Sequence, residues 1–203
     1  TLSNAVSATG HGQVEAYVLA EGDQTFTLGA ASQNVTTGSG AVTIDTGSAV
    51  SDITDAVLDG SNATTSLTIN LFANTDISDA TITGTAGSQD ADYSVTLASG
   101  VNATMSKAQN DLISSAAGTN TVTLSNAVSA TGHGQVEAYV LANGNQTFTL
   151  GVASQNVTTG TGTITIDTGS VSDITDAALD GNLATGLTIN LAANTDISDA
   201  VIK

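Results

Sequence analysis

Aspartates recur in pairs three residues apart: Asp52 and Asp55, Asp76 and Asp79, Asp173 and Asp176, Asp196 and Asp199. Carboxylates brought within about 5 Å of one another repel, and a hard cation held by oxygen ligands, calcium first, relieves the repulsion. The spacing predicts such an approach. Asp173 follows Ile166 by 7 residues and Asp196 follows Ile189 by 7. If the two isoleucines occupy matching places in successive layers, the aspartates lie one above the other. Without stacking, the same side chains are solvated loop acids whose charge is screened. These eight aspartates are the candidate calcium ligands, and calcium is the one cofactor the residues suggest.

Other chemistry is thinly supplied. His11 and His133 sit in identical Thr-Gly-His-Gly-Gln contexts with no second His near them. They read as turn residues rather than as a metal or catalytic site. Glu15 and Glu137 have no acid partner at a fixed spacing that would suit glycoside hydrolysis, and no Gly-x-Ser-x-Gly nucleophile motif occurs. Tyr17, Phe26, Phe72, Tyr139 and Phe148 read as core residues. Asn34, Asn62, Asn102, Asn145 and Asn156 each open an Asn-x-Thr triplet, the glycosylation pattern, which a chain rich in Asn and Thr produces by chance. Thr-x-Thr occurs at Thr25–Thr27, Thr121–Thr123, Thr147–Thr149 and Thr163–Thr165. Flat ladders of that kind resemble ice-binding solenoids, but here Ala41, Ser66, Ser94 and Gly186 interrupt the first Thr position.

The elements that would position these residues come from repetition, which is sought before any local pattern. Residues 1–82 reappear as 123–202 with 12 differences in 80 aligned pairs, Ala49 and Ser61 being left without partners. Residues 83–122 occur once. The chain therefore divides into a first unit, 1–122, and a second, truncated unit, 123–203.

A shorter period lies inside. Thr1-Leu2-Ser3, Phe26-Thr27-Leu28, Val42-Thr43-Ile44, Leu67-Thr68-Ile69, Val95-Thr96-Leu97, Val122-Thr123-Leu124, Phe148-Thr149-Leu150, Ile164-Thr165-Ile166 and Leu187-Thr188-Ile189 alternate apolar and polar residues and end in turn formers. Alternation of period 2 marks a half-buried strand, and β-branched residues favour one. Strand and turn recurring every 16–28 residues predict an all-β parallel solenoid of about nine coils, five in the first unit and four in the second. Leu28, Ile44, Ile69, Leu97, Leu124, Leu150, Ile166 and Ile189 should point inward and the preceding Thr outward. Second strands are expected around residues 14–19, 53–58, 77–82, 136–141 and 174–179, and a short helix within 105–113. The alternative is a tandem of immunoglobulin-like β-sandwich extender modules, for which a 121-residue period is the right size. Disorder, suggested by high charge and few aromatics, is opposed by the alternation.

Composition narrows the classes further. The 203 residues carry 19 acids against 2 Lys and no Arg, a net charge of −17. Such a chain does not bind nucleic acid or an anionic bilayer unaided. It has no Cys, hence no disulfide, thiolate metal site or Cys nucleophile. No run of 18 apolar residues occurs, so no membrane-spanning helix is expected. The chain opens on Thr1 within one repeat and stops at Lys203 within another, as a piece of a longer array would.

The stretches Met105-Ser106-Lys107-Ala108-Gln109-Asn110-Asp111-Leu112-Ile113 and Ala117-Gly118-Thr119-Asn120-Thr121-Val122-Thr123-Leu124, with the Asp-, Asn-, Thr- and Gly-rich texture around them, resemble long, acidic, secreted bacterial repeat proteins, the adhesin and surface-layer-like class. The Gly-Gly-x-Gly-x-Asp calcium repeat often found beside that class is absent here. The resemblance implies an extracellular or cell-surface, non-enzymatic structural segment of a fibre, matrix polymer or adhesin stalk. A solenoid cut mid-array leaves unpaired strand edges, which predicts end-to-end or filamentous self-association; contact with carbohydrate or a cell surface is the other expected partnership. A surface-layer or calcium-dependent adhesion module and a polysaccharide-binding or lyase-type β-helix are the competing functions, with ice binding behind them.

Overall fold

The computed structural model describes residues 1–3, 7–48, 50–53, 55–85, 92–192 and 194–203. The chain winds into a parallel β-solenoid and is only 2% helical. One sheet runs through Ala8–Thr9, Gln24–Thr27, Ala41–Asp45, Ser66–Leu71, Ser94–Leu97 and Ile113–Ala116. A second runs through Ala16–Val18, Asn34–Thr36, Val57–Asp59 and Thr81–Thr83. The third begins at Thr75–Asp76 and continues through Asn102–Met105, Thr121–Leu124, Ala138–Val140, Asn156–Thr158 and Ala178–Asp180 to Val201–Ile202. The fourth comprises Ala130–Thr131, Gln146–Thr149, Thr163–Asp167 and Gly186–Asn190. There are about ten turns, which at ~4.8 Å per strand spacing stack to about 45 Å.

The coil count exceeds the motif count for a specific reason. Thr123-Leu124 lies in the third sheet, not with the Phe26 and Ile44 blocks, and Leu2 N–H donates to the carbonyl of Val18, in the second sheet. Coils meanwhile form at Ala8–Thr9, Ile113–Ala116 and Ala130–Thr131, which lack the motif. Asn34–Thr36, Asn102–Met105 and Asn156–Thr158, three of the Asn-x-Thr triplets read as chance matches, are strands as well. The expected helix spans Lys107–Asn110 and is closed by a Ser106–Gln109 capping box.

Inward and outward faces follow the alternation. Leu28, Ile44, Ile69, Leu97, Leu124, Leu150 and Ile166 are buried, while Ile189, in the last coil, is half-buried. The register differs by two residues from the motif alignment at several steps. Phe26 pairs with Ile44 rather than Val42, and Val95 pairs with Ile69. A slip of two keeps every side chain on its own face, so the hydrophobic pattern alone cannot choose between these registers. Close approach at one corner requires glycine: a Cβ on Gly29 would lie 1.8 Å from the Gly10 carbonyl oxygen, so only glycine lets those two turns nest.

The chain visits three sides in fixed order. From Ala8 it returns to the first sheet at Phe26, Ile44, Ile69, Val95 and Ile113, then passes two more sides before Ala130. One unit is therefore five circuits and two-thirds of a sixth. The helix bridges the offset: Gln109 Nε2 donates to the Ile77 carbonyl at 2.6 Å, and Asn110 Nδ2 to the Thr131 carbonyl at 2.9 Å. The second unit is thus shifted by one side relative to the first. Its counterpart of the first sheet is the fourth, and its counterpart of the second is the third.

Candidate functional site

The paired aspartates lie on the wider coils, in turns of sequence Asp-Ile-x-Asp-Ala. Asp52 bridges Asp76, and Asp173 bridges Asp196, each as parallel backbone partners in adjacent coils. The expected stacking is therefore present at the backbone. Ile53 N–H donates to the Asp76 carbonyl and Asp76 N–H to the Ser51 carbonyl; Ile174, Asp196 and Ser172 repeat the arrangement. The second aspartates follow in register, because Thr81 N–H donates to the Ala56 carbonyl and Val201 N–H to the Ala177 carbonyl. Asp55 and Asp79 thus occupy the same place in stacked turns, as do Asp176 and Asp199.

Their carboxylates already have local work. Asp76 Oδ1 accepts from Ser78 N–H at 2.9 Å and Oγ at 2.7 Å. Asp173 Oδ1 accepts from Thr175 N–H at 2.9 Å, and Asp196 Oδ1 from Ser198 N–H at 3.0 Å. The bonds from the Thr175 backbone and side chain hold the Asp173 carboxyl below its ordinary pKa. Asp55 adopts φ 62°, left-handed backbone that Asp tolerates better than most residues. Asp52, Asp55, Asp79, Asp173, Asp176, Asp196 and Asp199 are exposed, and Asp76 is half-buried. Among the described residues, no three His, Asp or Glu side chains gather into a group that would hold a metal unaided. A cation at these turns would draw on pairs of carboxylates, with carbonyls and water completing its shell.

The histidines are turn residues. His133 Nδ1 accepts from Gln135 N–H at 3.3 Å, and His11 Nδ1 from Gln13 N–H at 3.3 Å. Burial lowers the His133 pKa, which favours the neutral ring that this acceptor role requires. Glu137 Oε2 accepts from Asn120 N–H at 2.8 Å, a contact that knits coils together.

Sequence reasoning missed the buried amides at the corners. Gln155 Oε1 accepts from Gly151 N–H at 2.9 Å, and its Nε2 donates to the carbonyls of His133 at 3.0 Å and Val136 at 2.7 Å. Gln33 repeats all three bonds with Gly29, His11 and Val14. The available signal was a Ser-Gln-Asn triplet placed 22 residues after each His.

The losses of Glu21 and Asp23 in the second unit also have a geometric account. Glu21 Oε2 accepts from Ser39 N–H and Asp23 Oδ1 from Ala41 N–H; Asn143 and Asn145 accept from Thr161 and Thr163 N–H in the same way. The position requires an acceptor oxygen and not a charge. Asn34, Asn102 and Asn156 likewise cap the N–H of Val57, Thr121 and Ala178 in the next coil.

The outward face of the first sheet carries two polar columns. One is Thr25, Thr43, Thr68 and Ser94; the other is Thr9, Thr27, Asp45, Asn70 and Thr96. Asn70 Nδ2 donates to Asp45 Oδ1 at 2.9 Å, and the Thr96 hydroxyl donates to Asn70 Oδ1. The columns bond internally, and an acid interrupts the second. No helix of the described residues is long and apolar enough to cross a membrane. The chain matches no protein-family model, no curated protein and no solved structure.

Proposed function

We propose that the chain is a non-enzymatic structural repeat, a rigid segment of an extracellular bacterial fibre, matrix polymer or adhesin stalk. One observation carries this reading. The third sheet runs without a break from Thr75–Asp76 in the first unit to Val201–Ile202 in the second, so two near-identical units are joined by a continuous hydrogen-bonded ladder instead of a linker. Repetition on such a ladder adds length and stiffness, which catalysis does not require. Electron microscopy of engineered chains with two, four and six units tests it: contour length should grow linearly with unit number. Compact particles, or a clear hit in a polysaccharide-cleavage screen, would overturn it.

A second reading, calcium-dependent stiffening of the same rod, is favoured by the Asp52–Asp76 and Asp173–Asp196 partnerships. Cation binding to the folded form alone stabilises it in proportion to the logarithm of cation concentration once sites are filled.

A further inference from the structure

Asx is followed by glycine at Asp59–Gly60, Asn143–Gly144 and Asp180–Gly181. A glycine places no Cβ in the way, so its peptide nitrogen reaches the preceding side-chain carbonyl carbon and closes a five-membered imide. Asparagine is the better electrophile, because a carboxylate repels the nucleophile. Asn143–Gly144 is therefore the reactive pair. Asn143 is exposed, so water reaches it, and Gly144 has φ 128°, which favours glycine there.

Both reacting groups are held by one residue of the next coil. Gly144 N–H donates to the Thr161 carbonyl at 2.7 Å, and Asn143 Oδ1 accepts from Thr161 N–H at 3.0 Å. Ring closure needs Asn143 Cγ turned onto the Gly144 nitrogen and the Gly144 proton released. Each change breaks a bond to Thr161. The first unit has the same pair of bonds at the same corner: Gly22 N–H to the Ser39 carbonyl at 3.1 Å, and Ser39 N–H to Glu21 Oε2 at 3.2 Å. Glu21 has one more methylene and would have to close a slower six-membered ring. Gly60 and Gly181 follow carboxylates, and their N–H groups are tied to the Thr83 and Lys203 carbonyls, each at 2.9 Å.

We propose that Asn143–Gly144 is a site of hydrolytic modification gated by the coil above it, unreactive while 143–145 is stacked against 161–163 and reactive once those turns part. In the open state the Gly144 nitrogen attacks Asn143 Cγ. The N–Cγ bond forms, the bond from Cγ to the carboxamide nitrogen breaks, and that nitrogen leaves as ammonia with the proton from Gly144. Water then opens the imide. Cleavage at Cγ leaves aspartate at 143; cleavage at the backbone carbonyl of 143 leaves isoaspartate, whose main chain is one methylene longer. Aspartate retains an acceptor for Thr161 N–H, as Glu21 does for Ser39, so the turns restack. Isoaspartate shifts Gly144 away from the Thr161 carbonyl and prevents restacking. The site thus leaves a permanent mark on a chain whose coils have separated there. The inference goes beyond the rod reading and does not depend on it.

The test incubates the full chain at mildly alkaline pH, folded and in urea. Peptide mapping by mass spectrometry follows each Asx–Gly pair, and an isoaspartyl methyltransferase counts isoaspartate. In urea Asn143 should react before Asp59 and Asp180. In the folded chain its reaction should be slower by about a hundredfold or more, because the rate scales with the fraction of open turns. Glu21→Asn places a second reactive pair at the equivalent corner, which should react in urea and be protected when folded. Asn143→Gln should abolish the reaction at 143 in both conditions. If Glu21→Asn does not fold, graded urea on the parent chain reads the same gate: reaction at 143 should rise in step with loss of hydrogen-exchange protection at Gly144. Equal rates in the folded and unfolded chain would overturn the proposal. So would no reaction at 143 in urea, or a folded rate indifferent to Gly144 protection.

Discussion

The Tyr139 hydroxyl donates to the side-chain oxygen of Asn110, 29 residues earlier, and accepts from the His133 N–H at 2.8 Å. Its ring also packs 4.8 Å from Phe148. Burial raises the phenol pKa far above its ordinary value, so it remains a donor at every physiological pH. Tyr139→Phe strands a buried acceptor and a backbone donor, which should cost about 1–3 kcal/mol. Tyr17 packs on Phe26 but is less buried, so Tyr17→Phe should cost less than 1 kcal/mol, about the value of one partly solvated bond. Urea unfolding of both variants checks the difference.

Gln155 should be the most sensitive polar position. It is fully buried and its amide satisfies three backbone groups. Gln155→Leu preserves volume but strands those groups, at about 1–3 kcal/mol each before relaxation. A thermal midpoint reduced by several degrees is expected. A midpoint within a degree of the parent would show that the corner rearranges.

Asp23→Asn and Glu21→Gln should be nearly neutral, within about 0.5 kcal/mol, because an acceptor oxygen remains for Ala41 and Ser39. Asp23→Ala should be worse than Asp23→Asn. Denaturant midpoints of the three variants, at low and high salt, separate the lost hydrogen bond from relieved charge repulsion.

Two acid-side transitions follow from the shifted groups. His133 has a lowered folded pKa, so the unfolded chain takes up its proton first. Stability is full above the ordinary imidazole value of about 6.5 and declines as pH falls through and below it. Asp173 and Glu21 are also lowered, by hydrogen bonds from Thr175 and Ser39. Their contributions hold above the ordinary carboxylate range and vanish as pH falls through their folded values. Unfolding measured from pH 8 to pH 3 should show both steps, and His133→Asn should remove the first.

On the calcium reading, the thermal midpoint should rise by several degrees between chelator and millimolar calcium, with magnesium and sodium giving less. Asp173→Asn with Asp196→Asn should abolish most of the rise. An equal response to sodium would reduce these aspartates to screened surface charge.

The solenoid was legible because its physics is local. Ile44, Ile69 and Ile166 announce an inward row simply by alternation, and the Asp173–Asp196 stacking followed from counting seven residues from two such isoleucines. Sidedness was not legible. Thr123-Leu124 has the same pattern as Thr149-Leu150, yet the two belong to different sheets, because alternation records which residues face inward but not which of three walls they join. Ala8–Thr9 and Ala130–Thr131 were invisible for the opposite reason: two small residues suffice for a strand when a full coil lies against them. The inter-coil bonds of Asn110 and Asn120 were not legible either, since a residue in a segment that occurs once cannot be recognised by repetition.

The fractional winding of one unit has a consequence for anything that reads the rod from outside. With five and two-thirds circuits per unit, the Thr25–Thr43–Thr68 face and the Asp52–Asp76 turns reappear in the next unit on a neighbouring wall, as Thr147–Thr165–Thr188 and Asp173–Asp196. A whole number of circuits would have lined these patches along one flank and made a seam at which rods could zip side by side. Here equivalent patches climb like steps of a spiral staircase, and three units of this pitch, seventeen circuits, would be needed before one returned above its starting point. An array of such units would present its acids and hydroxyls in every direction, with equivalent patches only at spots spaced along its length.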